Sequence, residues 1–203
     1  GDCFDTVLLP RMNKVVFTPE WKDGKPKRMA TQEEAVRTGF RALEMGASSV
    51  YCSGSPFLIE AMANVDARLL VVGEGPQGAE WRELARKLDL GDRVEFLGRV
   101  SDEELVALYH ACDVFVLPAI HRSESWGAVQ VEAMACGKPV ICTELGTGTS
   151  FVNVHRETGL VVPPRDSGAL ASALNELLAN DALRAEMGRK AEIRAKQEFS
   201  HTV

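Results

Sequence analysis

The stretch from Val114 to Cys142 reads V-F-V-L-P-A-I-H-R-S-E-S-W-G-A-V-Q-V-E-A-M-A-C-G-K-P-V-I-C. It opens on a β-branched and aromatic run, Val114-Phe115-Val116-Leu117, which stops at Pro118. A polar loop follows, and after Gly127 a helical pattern carries Val131, Met134 and Ala135. Gly137 ends the helix, and Pro139-Val140-Ile141-Cys142 forms a second apolar run. Both runs are continuously apolar rather than alternating, which suits strands buried on both faces of a parallel sheet. Strand, helix and strand in this order make a β-α-β unit.

The same rhythm extends outward in both directions. Upstream lie the runs Leu69-Leu70-Val71-Val72 and Val94-Glu95-Phe96-Leu97, and downstream lies Leu160-Val161-Val162. A helix is predicted from Ala79 to Leu90, with Trp81, Leu84, Ala85 and Leu88 on one face. Another begins at the capping box Ser101-x-x-Glu104 and carries Leu105, Leu108 and Tyr109. Two more start near Asp166, with Leu170, Ala173, Leu174, Leu177 and Leu178, and near Asp181, with Leu183, Met187 and Ala191. Alternation of this kind predicts an α/β fold with a Rossmann-like, doubly wound parallel sheet.

Residues 1–56 follow a different pattern and are read as an atypical N-terminal segment, with the sheet domain over 57–203. Val7 to Leu9 and Val15 to Phe17 suggest short strands, and Pro19 to Pro26 is turn-rich and basic. Thr31-x-x-Glu34 is a further capping box, continued by Val36, Phe40 and Leu43 up to Gly46. Ser49 to Cys52 is expected to be the first strand of the sheet, with Ser53-Gly54-Ser55-Pro56 as its exit loop.

Composition narrows the function classes. With 45% hydrophobic and 26% charged residues, the 203-residue chain is globular rather than disordered. A formal net charge of -6 argues against coating nucleic acid, which calls for a basic field. No apolar run reaches about 18 residues, so no membrane span is expected. The five cysteines, Cys3, Cys52, Cys112, Cys136 and Cys142, are odd in number and form no C-x-x-C pair. They read as reduced thiols of a cytoplasmic protein, and no signal peptide is visible at the N-terminus. No His/Cys/Asp cluster has metal-ligand spacing.

In an open α/β sheet, ligands bind beyond the carboxyl ends of the strands. Four places there carry candidate residues. Gly73 and Gly75, in Gly73-Glu74-Gly75-Pro76, allow close backbone approach to a ligand, although a plain Gly-Pro turn explains them equally well. Glu124 lies in the loop after Leu117, and Glu132 in the first turns of the next helix. A carboxylate there accepts hydrogen bonds from a vicinal diol, such as ribose or a hexose presents. The bland alternatives are a solvated loop charge for Glu124 and pairing with the helix N-terminus for Glu132. Glu144-Leu145-Gly146-Thr147-Gly148-Thr149-Ser150 offers hydroxyls and backbone amides, with Thr147, Gly148 and Thr149 as candidates for a phosphate or sugar. Arg99, after Gly98, either faces a diphosphate or pairs with a surface acid, and the second is favoured.

The run Glu124 to Val140 resembles the E-x7-E signature of retaining GT-B glycosyltransferases of family four, the group 1 glycosyltransferases. Leu69 to Pro76, Gly91 to Gly98, Ala111 to Pro118 and Glu157 to Pro164 resemble family segments in the expected order. The resemblance spans about 145 residues and implies the donor-binding half of a GT-B enzyme of carbohydrate biosynthesis. It implies that Glu124 meets the donor sugar at the reacting centre and Glu132 meets the ribose. The Glu144 to Ser150 loop would then lie over the sugar and diphosphate. These acids are binding groups in this view, not a general acid/base pair. The donor would be a UDP- or GDP-sugar, with no cofactor.

The departures from the family pattern also carry expectations. Family members pair this half with an N-terminal acceptor-binding Rossmann domain, and 56 residues cannot form one. The chain is therefore expected to be truncated or chimeric, inactive alone, and dependent on an acceptor domain in trans. Leu8 to Thr31 bear a faint resemblance to a tail segment of bacterial DNA-adenine methyltransferases. The family loop after the first strand supplies an Arg and a Lys to the diphosphate, whereas Cys52-Ser53-Gly54-Ser55-Pro56 has neither. Diphosphate binding is then expected to rest on backbone amides and loop hydroxyls. A non-catalytic nucleotide-sugar-binding module and a folded scaffold without binding are the alternatives. Neither glutamate is expected to be needed by the core.

Overall fold

In the computed structural model the described residues are 21–22, 25–26 and 55–199. Strands β1 (Trp21–Lys22) and β2 (Lys25–Pro26) pair antiparallel, so the turn-rich basic stretch brackets a minimal hairpin. The strands and helix expected elsewhere before residue 53 lie outside the described residues, and the exit loop expected to run to Pro56 is corrected, because a helix already begins at Ser55 with Pro56 in its first turn, where a missing N–H costs nothing. From residue 55 the order is α1 (Ser55–Ala61), β3 (Leu69–Val72), α2 (Gly78–Lys87), β4 (Val94–Gly98), α3 (Asp102–Ala111) and β5 (Phe115–Leu117). Then come α4 (Ala128–Ala135), β6 (Val140–Thr143), α5 (Thr149–Val152), β7 (Gly159–Val162), α6 (Ser167–Leu178) and α7 (Asp181–Glu198).

All pairings among β3 to β7 are parallel, as an α/β fold requires. The described strands fall into two groups rather than one sheet, β3-β4 and β5-β6-β7. Helices cover both faces. Val140 and Cys142 of β6 point into a layer with Leu105, Val106 and Tyr109 of α3, Val131 and Met134 of α4, and Ala191 of α7. Ile141 points the other way, among Ile59 of α1, Trp81 of α2 and Leu170, Leu174 and Leu177 of α6. This period-2 split is what a strand buried on both faces must show.

Local chemistry explains the boundaries. Ser101 and Glu104 exchange both bonds of the expected capping box, at 3.2 and 2.8 Å. Asp166 and Asn180 cap α6 and α7 by accepting from Ala169 N and Leu183 N. The helix expected to reach Leu90 ends at Lys87, because Asp89 turns to φ 53 and brings Leu90 into the core. Strand β6 runs one residue beyond its apolar stretch, to Thr143, whose hydroxyl donates to Ala119 O and is thereby satisfied while buried. Among the described residues no helix is long and apolar enough to cross a membrane.

Candidate functional site

The loops after β5 and β6 both leave the carboxyl ends of their strands, and three contacts tie them together. Gly148 N donates to Ser125 O at 2.5 Å. The buried Gln130 amide donates to Trp126 O at 2.9 Å and to Thr149 O at 3.4 Å. Arg122 donates to Gly146 O at 3.0 Å. Two glycines permit this approach. Gly127, just before α4, has φ 68, and a Cβ there would lie 2.5 Å from Leu117 Cδ2. A Cβ on Gly148 would lie 2.7 Å from Trp126 Cβ, so only glycine lets the loops touch.

The two carboxylates sit in different surroundings. Glu124 is half-buried in the loop, in a turn closed by its own N–H donating to His121 O at 3.1 Å. Burial pushes its carboxyl up, and a bond from Gly127 N–H offsets part of that. Glu132 is one turn into α4 and only 5% exposed, and its Oε2 accepts from the Tyr109 hydroxyl at 2.9 Å. Burial pushes Glu132 up to about 7; the Tyr109 hydroxyl opposes the shift and Asp102 reinforces it. Tyr109 in turn is raised well above its ordinary value by burial and by the charge of Glu132. The expectation that Glu132 stands apart from the core is thus corrected. The carboxylate lies inside the core against α3, and its contact is a phenol rather than the helix terminus.

The remaining candidates divide. Gly73 ends β3 with φ 105 and donates to Gly98 O at 2.7 Å, and Gly75 O accepts from Gly78 N at 3.0 Å as α2 begins. Arg99 pairs with Glu74 at 3.2 Å, both more than half exposed, which is the surface pairing favoured by the sequence. The Thr149 hydroxyl is fully buried and donates to Thr143 O at 3.1 Å, so it braces the loop from within. Thr147 Oγ1 lies 3.5 Å from it on the outer side. The sequence reading passed over Tyr109, Gln130 and Arg122. Tyr109 read as one more residue of an apolar helix face, and Gln130 and Arg122 as helix and loop filler.

The profile described as "Glycosyl transferases group 1" matches residues 52–194. The chain belongs to the group 1 glycosyltransferase family. Among its relatives in that family is the D-rhamnosyltransferase WbpZ of Pseudomonas aeruginosa, 40% identical over 181 residues, which cover 88% of this chain and 47% of WbpZ. The chain therefore spans about half the length of the curated group 1 relatives it matches. A structure of Anabaena HepE with UDP-glucose matches with a TM-score of 0.64 at 30% identity, over 73% of this chain and 42% of HepE. The C-terminal domain of the group 1 protein LpcC from Francisella tularensis matches with a TM-score of 0.67 at 25% identity, over 74% of this chain and 82% of that domain. The GT-B, Rossmann-like half-domain expected from the sequence is therefore the fold of residues 55–199.

Proposed function

We propose that this chain binds a nucleotide-diphospho-sugar and presents it for transfer of the sugar to an acceptor, with retention. The observation that carries the reading is the joining of the β5 and β6 loops at Gly148 and Gln130, which fastens the loop of Glu124 and the start of the helix of Glu132 to the β6 loop. A pocket built for transfer gains chiefly by positioning and by stabilising charge on the leaving diphosphate. Glu124, in its half-buried loop, takes the donor sugar, and Glu132 takes the ribose. Gly73, Gly75, Thr147 and Gly148 line the phosphate side, the glycines by leaving room for close approach and Thr147 by its hydroxyl, since the Gly73 and Gly148 N–H groups already serve Gly98 O and Ser125 O. Arg99 and Thr149, engaged as described above, contribute from behind. HepE with UDP-glucose supports a UDP-sugar, WbpZ, a D-rhamnosyltransferase, supports a deoxyhexose, and a GDP-sugar is the other donor to be tested. No cofactor is needed beyond the donor. The free thiols of Cys112, Cys136 and Cys142 are in keeping with a reducing, cytoplasmic setting. An acceptor-binding domain, in trans or otherwise joined, completes the reaction, and residues 55–199 by themselves are expected to transfer no sugar.

Thermal shift across UDP, GDP and their sugars tests the reading. A ligand at ten times its dissociation constant stabilises the native state by about 1.4 kcal/mol, a visible rise in Tm. Calorimetry then separates the two acids. Glu124→Ala is expected to weaken the nucleotide sugar about tenfold or more and leave the nucleoside diphosphate unchanged. Glu132→Gln is expected to weaken both by similar factors. No Tm rise with any nucleotide or nucleotide sugar would leave a folded scaffold as the description of this chain.

A further inference from the structure

Three of the groups expected to hold the diphosphate are engaged elsewhere. Gly148 N–H is given to Ser125 O, the Thr149 hydroxyl to Thr143 O, and Gly146 N–H to Glu144 Oε1 at 2.7 Å. Two carboxylates, Glu124 and Glu144, belong to the same pair of loops. An anionic group entering there meets two carboxylates and three donors already in use, a balance that a nearby cation would improve.

One guanidinium stands in those loops. Arg122 is exposed, two residues from Glu124, and among the described residues its hydrogen bond is the one from Nη2 to Gly146 O. Among the described residues no carboxylate pairs with it. The nearby Glu144 instead accepts from Gly146 N and from the Ser150 hydroxyl at 3.1 Å. Gly146, at φ 63, leaves the room Arg122 occupies, since a Cβ there would lie 2.9 Å from Arg122 Nη1. The arginine is thus held at the junction of both ligand loops by one of its five N–H groups, with the others unspent. By contrast Arg99 is already neutralised by Glu74.

We propose that Arg122 is the cationic contact for the diphosphate of the donor, in a site whose other loop groups are mostly committed to holding the loops together. The inference rests on the donor-binding reading above. A planar fork suits two phosphate oxygens and stays charged at any working pH.

The test is calorimetry on the full chain with UDP and GDP and with the matching nucleosides, at low and high salt. The variants are Arg122→Gln, Arg122→Lys and, as a control of equal charge change, Arg165→Gln at an exposed position after β7. Glutamine can still donate to Gly146 O, so the tether is preserved while the charge is lost. The expected result is a ten- to hundredfold loss of diphosphate affinity in Arg122→Gln with nucleoside affinity unchanged. Arg122→Lys should lose less, Arg165→Gln nothing, and the salt dependence seen in the parent should shrink in Arg122→Gln. Equal diphosphate binding by the parent and Arg122→Gln would overturn the assignment while leaving the donor-binding reading intact. Parallel loss of nucleoside and diphosphate would show that Arg122 merely braces the Gly146 loop, and would also overturn it. A parent that binds neither would remove the donor-binding reading itself, and this inference with it.

Discussion

The two strand groups end in loops of opposite character. Around β5, β6 and β7 the backbone is fastened by buried side chains. The Asn153 amide donates to Val140 O at 3.0 Å and to Leu160 O at 3.1 Å, and its own oxygen accepts from the Thr158 hydroxyl at 2.9 Å. Thr143 and Thr149 bond in sequence to Ala119 O and Thr143 O, and every residue of β6 is buried. Around β3 and β4 the pairing is bulged between Val71 and Val72, Leu70 is 39% exposed, and the exit loops meet through the surface pair Glu74–Arg99. Both regions have the same sequence signature, short apolar runs that, β6 apart, close on Gly or Pro. What separates them is a handful of small polar residues, Thr143, Thr149, Asn153 and Thr158, each buried and each hydrogen-bonded. A loop that must hold a ligand atom in place draws on that kind of bond, because an unmade buried hydrogen bond costs more than a solvated ion pair returns.

The sharpest way to break the contrast is at Asn153. Asn153→Ala takes the amide donor from two strand carbonyls and the acceptor from the Thr158 hydroxyl, which keeps only its bonds with Val154, and is expected to lower stability by about 2–3 kcal/mol in urea unfolding. A loss below about 1 kcal/mol would mean the β6 region is no firmer than β3-β4. Glu132 gives the next effect, and it depends on pH. Its folded pKa of about 7 lies above the ordinary carboxylate value, so the folded state binds the proton more tightly than the unfolded one. Its favourable contribution is complete in acid and lost as pH rises through about 7. Parent stability attributable to this group should fall by about 2 kcal/mol between pH 5 and 8, and Glu132→Gln should flatten that part of the profile. An unchanged profile in the variant would show that the carboxylate is open to water. The smallest effect is expected at the exposed pair. Glu74→Ala or Arg99→Ala should change stability by less than about 0.5 kcal/mol, with any difference vanishing in salt. A larger loss there would erase the distinction between the regions.

Much of this architecture is legible in the residues themselves. The capping box at Ser101, the cap at Asp166 and the parallel character of the apolar runs all follow from local chemistry that the chain carries openly. The errors occur where a residue's role depends on its neighbours in space. Leu88 and Leu90 continue a helical spacing, and only the left-handed turn at Asp89 shows that the helix has ended. Thr143 is polar and so falls outside an apolar run, yet it belongs to β6 because Ala119 O waits across from it. Glu132 could be placed near the start of a helix from Gly127, but nothing in its own helix says that Tyr109 of α3 closes over it. The site is legible as a motif, and its internal bracing by Gln130 and Arg122 is not, because both partners are backbone carbonyls that any sequence supplies.

The bed of bonds beneath the site has a chemical corollary. Cys142 lies at its centre, wholly buried, with Asn153 Nδ2 3.4 Å from its sulfur, and burial pushes its thiol up to about 12. Cys136 is slightly more open and Cys112 is half-buried. Alkylating reagents attack the thiolate, so these three sulfurs form a graded clock. Cys112 is set to react before Cys142, which reacts only as β6 opens, and that makes the labelling time of Cys142 a reading of how long this strand stays closed.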